Sequence, residues 1–170
     1  MKYITLIIIL LSFFSSSFSQ ANKNNAKIKP TKTETKDWIS KNISSHPFIS
    51  EEGDIRNEYS IKYDEINIII ENKSTYQNEP SVWTTKIKVT EIDSIFWSEK
   101  LHNVWLTIIL KEGKEEVTFH NSKKVPSDGK MEFLLSKTFL ENDLPKRMIK
   151  AFKRLIEIYS TDNKAKNDTF

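Results

Sequence analysis

Apolar and polar residues alternate with a period of two through the middle of this chain, and this pattern constrains the fold more than any other feature. The alternation begins at Tyr59, resumes at Ile66 after a break at Asp64-Glu65, and returns between Trp83 and Val89. Successive side chains of a β-strand point to opposite faces, so this period predicts strands with one buried and one exposed face. Such strands are typical of antiparallel sheets.

Three more strands are predicted downstream. Val104 to Leu110 is apolar on both faces, which indicates a strand that is covered on both sides. The segment from Lys111 to Lys114 contains Gly113 and predicts a hairpin, with Val117 and Phe119 on the return strand. Pro126 to Gly129 has the composition of a turn and precedes the last predicted strand.

Helices are predicted at both ends of the domain. Thr31 and Glu34 have the spacing of a capping box, and Pro47 prevents a helix that begins there from continuing. Near the other end, Pro145 suits the first turn of a long amphipathic helix, which must dock on the sheet because an isolated helix is marginal in water. The apolar residues of that helix recur at helical spacing: Leu144, Met148, Ala151, Phe152, Leu155 and Tyr159.

We therefore predict an α+β fold, with an antiparallel bent sheet or partial barrel of about six or seven strands, a short N-terminal helix and a long amphipathic C-terminal helix. The order of elements from Tyr59 to Tyr159 resembles the pleckstrin-homology-like (PH-like) architecture. The chain also looks like small uncharacterised exported proteins of Gram-negative bacteria, on Thr33, Trp38-Ile39 and Asp143-Leu144-Pro145. Neither resemblance implies an activity. A lipocalin-like barrel and a cystatin-like or NTF2-like sheet on helix are the alternative folds.

The first nineteen residues, MKYITLIIILLSFFSSSFS, have the parts of a signal peptide. Lys2 is followed by an apolar run that ends at Phe14, and small residues at Ser17 and Ser19 mark a cleavage site. The run is short for a bilayer, which needs about 20 residues. We expect a signal peptide over 1–19 and an exported protein, periplasmic or secreted, with no stable transmembrane segment after cleavage. A retained anchor is the alternative.

The remaining chain is predicted to hold one domain over residues 31–160, between flexible polar segments over 20–30 and 161–170. The absence of cysteine excludes disulfides, thiolate zinc sites and a cysteine nucleophile. The 26 basic and 23 acidic side chains nearly balance, which argues against nucleic acid as a partner.

No sequence motif indicates catalysis or a bound cofactor. The three histidines, His46, His102 and His120, lack the spacing of metal ligands, and His120 shares a strand face with Glu116 and Thr118 that we predict to be the solvent side. The chain has neither a GxSxG motif nor clustered glycines for a phosphate-binding loop. We expect no enzyme, no metal and no cofactor, and a hydrolase with a dispersed site is one alternative.

Two groups of residues are candidates for binding. One consists of large aromatic residues, of which Phe96-Trp97 falls in a predicted loop from Asp93 to Lys100. The other is the basic face of the last helix, which is suited to anionic lipid or acidic polysaccharide. The aromatic candidates are Trp83, Phe96, Trp97 and Trp105, and the basic candidates are Lys146, Arg147, Lys150, Lys153 and Arg154.

The sequence thus favours a non-enzymatic exported binding or interaction module of the cell envelope. Its expected partner is an envelope protein or an anionic surface, reached through a loop or a sheet edge. The alternative is a binder of small apolar ligands, with Trp83, Trp97 and Trp105 lining one groove.

Overall fold

The computed structural model describes residues 29–100 and 103–167. The predicted signal peptide, most of the 20–30 segment, His102 and the last three residues of the predicted tail lie outside this part of the chain. The described residues contain two α-helices, nine strands and two short 3₁₀ helices, Val89–Glu91 and Lys137–Asp143, so the α+β class with a short first and a long last α-helix is confirmed. A compact unit begins at Thr31.

The α-helices and strands follow one another along the chain as one α-helix, nine strands and a second α-helix. The helices are α1 (Lys32–Ser44) and α2 (Leu144–Asn167). The strands are β1 (Phe48–Ile49), β2 (Ile55–Tyr63), β3 (Asn67–Tyr76), β4 (Glu79–Lys88), β5 (Ile92–Lys100), β6 (Asn103–Leu110), β7 (Val117–His120), β8 (Lys123–Val125) and β9 (Lys130–Leu135).

The strands form two antiparallel sheets, where the sequence predicted a single sheet of six or seven strands. The larger sheet has the order β1-β2-β3-β4-β7-β8 and the smaller one the order β5-β6-β9. An isolated bridge between Pro47 and Leu135 links β9 to the residue before β1. Within the described residues neither sheet closes into a barrel.

Helix α1 begins where the sequence predicts, because its first turn is capped by side chains. The Glu34 amide donates to Thr31 Oγ1, and the Glu34 carboxylate accepts from the Thr31 amide at 2.8 Å. The hydrogen bond from the Thr31 amide, and after it one from the Thr31 hydroxyl, lower the pKa of the Glu34 carboxyl group. The helix ends at Ser44, three residues before Pro47.

Helix α2 docks its apolar face on the core, as its periodicity predicts. Leu144, Met148 and Phe152 are buried, and Pro145 lies in the first turn. The helix continues to Asn167, whereas the sequence predicted a flexible tail from Thr161. No helix within the described residues is both long and apolar enough to cross a membrane.

One cluster of buried residues joins both helices to both sheets. It includes Ile39 of α1, Ile70 of β3 and Leu106 of β6. The two sheets also meet through aromatic rings, since the ring of Tyr59 packs edge-on against that of Phe133 with 5.1 Å between centroids. The fold is therefore held by one shared core without any cysteine.

The polar segment from Asn72 to Ser81, which includes Pro80, predicts a loop, but this prediction is wrong because β3 and β4 run through most of the segment. They are joined by Gln77 and Asn78, both with positive φ, as in the two-residue turns that suit the twist of a hairpin. Pro80 is tolerated because β7 pairs with β4 only from Trp83 onwards, so β4 has a single neighbour there.

The predicted hairpin after β6 is also wrong. β7 pairs with β4 of the larger sheet, because the polar connection after Leu110 carries the chain from one sheet to the other. The chain returns to the smaller sheet at β9, and the Leu110 amide donates to the Gly129 carbonyl at 2.9 Å. The excursion over residues 111–129 therefore leaves and re-enters the smaller sheet at adjacent points.

Candidate functional site

The structure separates the aromatic candidates instead of gathering them in one groove. Trp83 lies on the inner face of the larger sheet, in register with Asn72 and His120. Trp97 is paired with the buried Leu106 and so lies on the inner face of the smaller sheet, because directly opposed residues share a face. Trp105 lies on its outer face, so the three indoles do not line one groove.

Phe96 and Trp97 belong to strand β5, so their predicted loop is wrong. β5 pairs with β6 on one side, and its other edge is unpaired within the described residues. Phe96 is 45% exposed on one face of this edge strand and Trp97 is 37% exposed on the other. The strand is hard to identify from sequence because Ile95, Phe96 and Trp97 are consecutive large apolar residues, and a register shift between Ile92 and Ser94 interrupts the period of two.

The basic candidates lie along the solvent side of α2, and three of them already contact neighbouring groups. Lys146 pairs with Asp143 at 3.3 Å, Arg154 pairs with Glu157 at 3.3 Å, and the Arg147 guanidinium lies 5.3 Å from the centre of the Trp38 ring. The other two, Lys150 and Lys153, are exposed. Such contacts are typical of the solvated face of a docked helix.

The two described histidines have separate surroundings. His46 Nδ1 lies 2.6 Å from the Asn42 carbonyl oxygen, and its ring packs edge-on against Phe139. His120 stacks on Trp83 with 4.1 Å between ring centroids. In residues 29–100 and 103–167, no group of three or more histidine, aspartate or glutamate side chains is placed to hold a metal ion.

An open cavity of about 290 Å³ lies where the inner faces of β4 and β7 meet the edge of β9. We call it the β4–β9 cleft. Its polar and aromatic lining consists of Asn72, Trp83, Glu116, Asp128, Lys130 and Glu132, with Thr85 and Thr118 on the sheet. The apolar part of the lining is formed by Val125, Pro126 and Met131.

Two oxygen atoms in the cleft are buried without a hydrogen-bond partner among the described residues. Glu116 is 5% exposed, and its Oε1 accepts from the Asp128 amide at 3.3 Å, but Oε2 has no partner. Asn72 donates through Nδ2 to Asn57 Oδ1 at 3.2 Å, and its own Oδ1 has no partner. By contrast, the Thr85 and Thr118 hydroxyls satisfy one another at 3.0 Å.

Acidic groups outnumber basic ones in the cleft. Glu116, Asp128 and Glu132 contribute carboxyl groups, and Lys130 contributes the one ammonium group of the lining. Lys130 Nζ lies 3.7 Å from Asp128 and 3.5 Å from Glu132, so it is shared between the two exposed carboxylates. The cleft can therefore accept hydrogen bonds and positive charge.

The sequence did not predict this cleft, because the face of β7 that lines it was predicted to be the solvent side. The face with Glu116, Thr118 and His120 is the inner one, since Thr118 pairs with the buried Thr85. Val117 and Phe119, which are 38% and 37% exposed, lie on the solvent side. The alternation predicted two faces correctly, but the pairing with β4 decides which of them is inside.

The clear pKa shifts of buried tyrosines occur in β2, outside the residues that line the cleft. Burial raises the pKa of Tyr59 and that of Tyr63 to about 12. In the following turn, hydrogen bonds hold the pKa of Asp64 well below its usual range, first from the Asn67 side chain and then from Lys86. These groups support the fold, and none is arranged with a second group as an acid–base pair.

Comparison with known proteins assigns neither a family nor a function to this chain. No protein-family model matches this chain, and neither does any curated protein or solved structure. We therefore infer its function from the chemistry of the β5 edge and the β4–β9 cleft.

Proposed function

We propose that this protein is a non-enzymatic exported binding module of the cell envelope, and that it binds an extended segment of an envelope protein along β5. The observation that carries the proposal is that β5, the strand with exposed Phe96 and Trp97, has one edge that no other described strand pairs with. The signal-peptide pattern of residues 1–19 supports export.

The physical basis is the row of backbone groups on the free edge of β5. An unpaired edge presents N–H and C=O groups that an extended peptide can pair with, and side chains at alternate positions then add specificity. With Phe96 and Trp97 on opposite faces of β5, an added strand would contact one aromatic side chain on each side of the sheet. A segment with apolar residues on both faces fits this edge.

The edge strands of the two sheets differ in how they are protected. β8, at the edge of the larger sheet, has three residues, of which Lys123 and Lys124 carry charge. Charged residues and shortness are the usual protection against added strands. β5 has nine residues, and the five from Ser94 to Ser98 carry no charge. A strand of this length without charge at its centre is suited to pairing.

A displayed library of extended ten-residue peptides, selected against the purified protein, tests the proposal. We expect the selected peptides to be rich in apolar residues, and Phe96→Lys to weaken their binding by about tenfold or more. Phe119→Lys is the matched control, because Phe119 is an exposed aromatic residue on a strand of the other sheet and should leave binding unchanged. Far-UV circular dichroism checks that both variants fold.

Two results would contradict the proposal. One is equal binding of the selected peptides to the wild type and to Phe96→Lys. The other is a dimer in sedimentation analysis that Phe96→Lys dissociates, because the occupant of the β5 edge would then be a second copy of this chain.

A further inference from the structure

We infer that the β4–β9 cleft binds an organic cation that donates N–H hydrogen bonds, such as an alkylammonium group. The inference rests on two buried acceptors that have no hydrogen-bond partner in residues 29–100 and 103–167, a surplus of carboxyl groups and an apolar wall, all of them belonging to residues that line one open cavity of about 290 Å³. The site is separate from β5, and the inference does not depend on the proposed function.

The unpartnered atoms determine which hydrogen-bonding groups a ligand must carry. Among the described residues, Glu116 Oε2 of the carboxylate and Asn72 Oδ1 of the amide are both hydrogen-bond acceptors without a donor. A buried polar group without a partner is unfavourable, and a buried carboxylate without one is more so. A ligand group that satisfies either atom is therefore a donor, and one that reaches both oxygen atoms carries at least two N–H or O–H groups.

The charge of the lining favours a cation over a neutral donor. Three carboxyl groups line the cleft, and the ammonium group of Lys130 is shared between Asp128 and Glu132 at the rim. No cationic group of the described residues contacts Glu116 Oε2. A primary ammonium group supplies three donors and one positive charge in a small volume, which matches both requirements.

The remaining lining indicates that the cation is organic. Val125, Pro126 and Met131 form an apolar wall for a short alkyl stem, and the nearby indole of Trp83 is held in place by its stack on His120. An aromatic face also attracts cations. A bare metal ion fits less well, because the described residues contain no group of three ligands for one.

The test is titration of the purified protein with n-butylammonium chloride, followed by the NMR signal of the Trp83 indole N–H, which Trp83→Phe identifies. Sodium chloride at equal ionic strength corrects for salt. We expect saturable binding that n-butanol, which has the stem without the charge, does not reproduce. Tetramethylammonium, which has the charge without N–H donors, is expected to bind more weakly.

Matched variants assign the binding to the cleft. Glu116→Gln keeps the shape of the side chain and removes its charge, and we expect it to weaken butylammonium binding by about tenfold or more. Glu115→Gln makes the same change at an exposed neighbour and should have no effect. Asn72→Ala removes the second acceptor without changing charge and is also expected to weaken binding, so the test does not depend on one variant folding.

Two sources of the cation are distinguished by a second probe, Nα-acetyl-lysine methylamide. Binding as tight as that of butylammonium supports a lysine side chain of a polypeptide, and weaker binding supports a free amine. The inference is overturned if butylammonium gives no saturable shift, as expected of a cleft that holds water only. It is also overturned if Glu116→Gln binds butylammonium as tightly as the wild type, or if n-butanol binds equally well.

Discussion

Tyr59 links the two sheets through its hydroxyl group. The Leu134 amide of β9 donates to the Tyr59 hydroxyl oxygen at 2.9 Å, although Tyr59 lies on β2 of the other sheet. The hydroxyl is buried, and burial raises the pKa of Tyr59 to about 12, although the hydrogen bond from Leu134 opposes that rise. A single polar atom thus contributes both to the junction and to the pH dependence of stability.

Replacing Tyr59 by phenylalanine is expected to lower the free energy of unfolding at pH 7 by about 1–2 kcal/mol, because the Leu134 amide loses its partner. The difference in free energy of unfolding between the wild type and this variant should become smaller as the pH rises from about 10 to 12. In this pH range the unfolded wild-type chain has released the Tyr59 proton, whereas the folded chain still holds it. Ionisation therefore favours the unfolded wild type and lowers its free energy of unfolding, and the phenylalanine variant has no such proton to release. Urea unfolding across this pH range measures the difference.

Tyr76→Phe is the control for the missing hydroxyl. Tyr76 is exposed at the end of β3, so its variant should match the wild type at pH 7. A Tyr59→Phe variant as stable as the wild type at pH 7 would show that the Leu134 amide does not depend on this hydroxyl.

At the scale of elements, the β3–β4 hairpin is set by its two-residue turn. Gln77 and Asn78 both adopt positive φ, at 49° and 67°. Asparagine tolerates this region and glycine enters it freely, but the side chain of glutamine is strained there. The hairpin therefore keeps its register in spite of an unfavourable residue at the first turn position.

Gln77→Gly is expected to raise the free energy of unfolding by about 0.5–1 kcal/mol, because it removes the strained Cβ at a positive φ. Gln77→Val is the comparison variant, because a β-branched residue fits a positive φ least. We expect it to lower the free energy of unfolding by about 1 kcal/mol. Thermal and urea unfolding of both variants measure the effect. Changes of the same sign would contradict a turn with positive φ at this position.

At the scale of the whole molecule, one core supports both sheets and both helices. Phe133 on β9 is fully buried and meets Tyr59 of the larger sheet ring to ring. A cavity at this position would remove contacts from both sheets at once. The two sheets should therefore unfold together, as small single domains usually do.

Phe133→Ala is expected to lower the free energy of unfolding by about 3–5 kcal/mol. Near-ultraviolet circular dichroism and far-ultraviolet circular dichroism should report the same midpoint, because aromatic packing and secondary structure are lost together. Phe119→Ala, at an exposed aromatic residue, should change stability by less than about 1 kcal/mol. Separate midpoints for the two signals would mean that unfolding is not one cooperative transition, which would contradict a single shared core.

Features of this fold that depend on residues close in sequence are predicted correctly, whereas features that depend on the pairing of distant strands are not. The capping box at Thr31 and the apolar stripe of α2 depend on residues close in sequence, and both are predicted correctly. The residues of β3 after Asn72 are all at least partly exposed, and a register shift interrupts β5 between Ile92 and Ser94, so a period of two does not reveal these strands. The cleft brings together Asn72 of β3, Glu116 just before β7 and Glu132 of β9, and no local sequence pattern predicts that these residues meet.

The excursion over residues 111–129 gives the molecule a natural site of partial opening. Its ends are joined by the hydrogen bond from the Leu110 amide to the Gly129 carbonyl. Its strands attach to the larger sheet through four paired residues of β7 and through two hydrogen bonds between Asn121 and Val82. Segments with so few pairings open at a lower free energy than the core. Opening would carry Glu116 away from Asn72 while the smaller sheet stays closed, so exchange of whatever occupies the cleft is expected to follow the lifetime of this local unfolding.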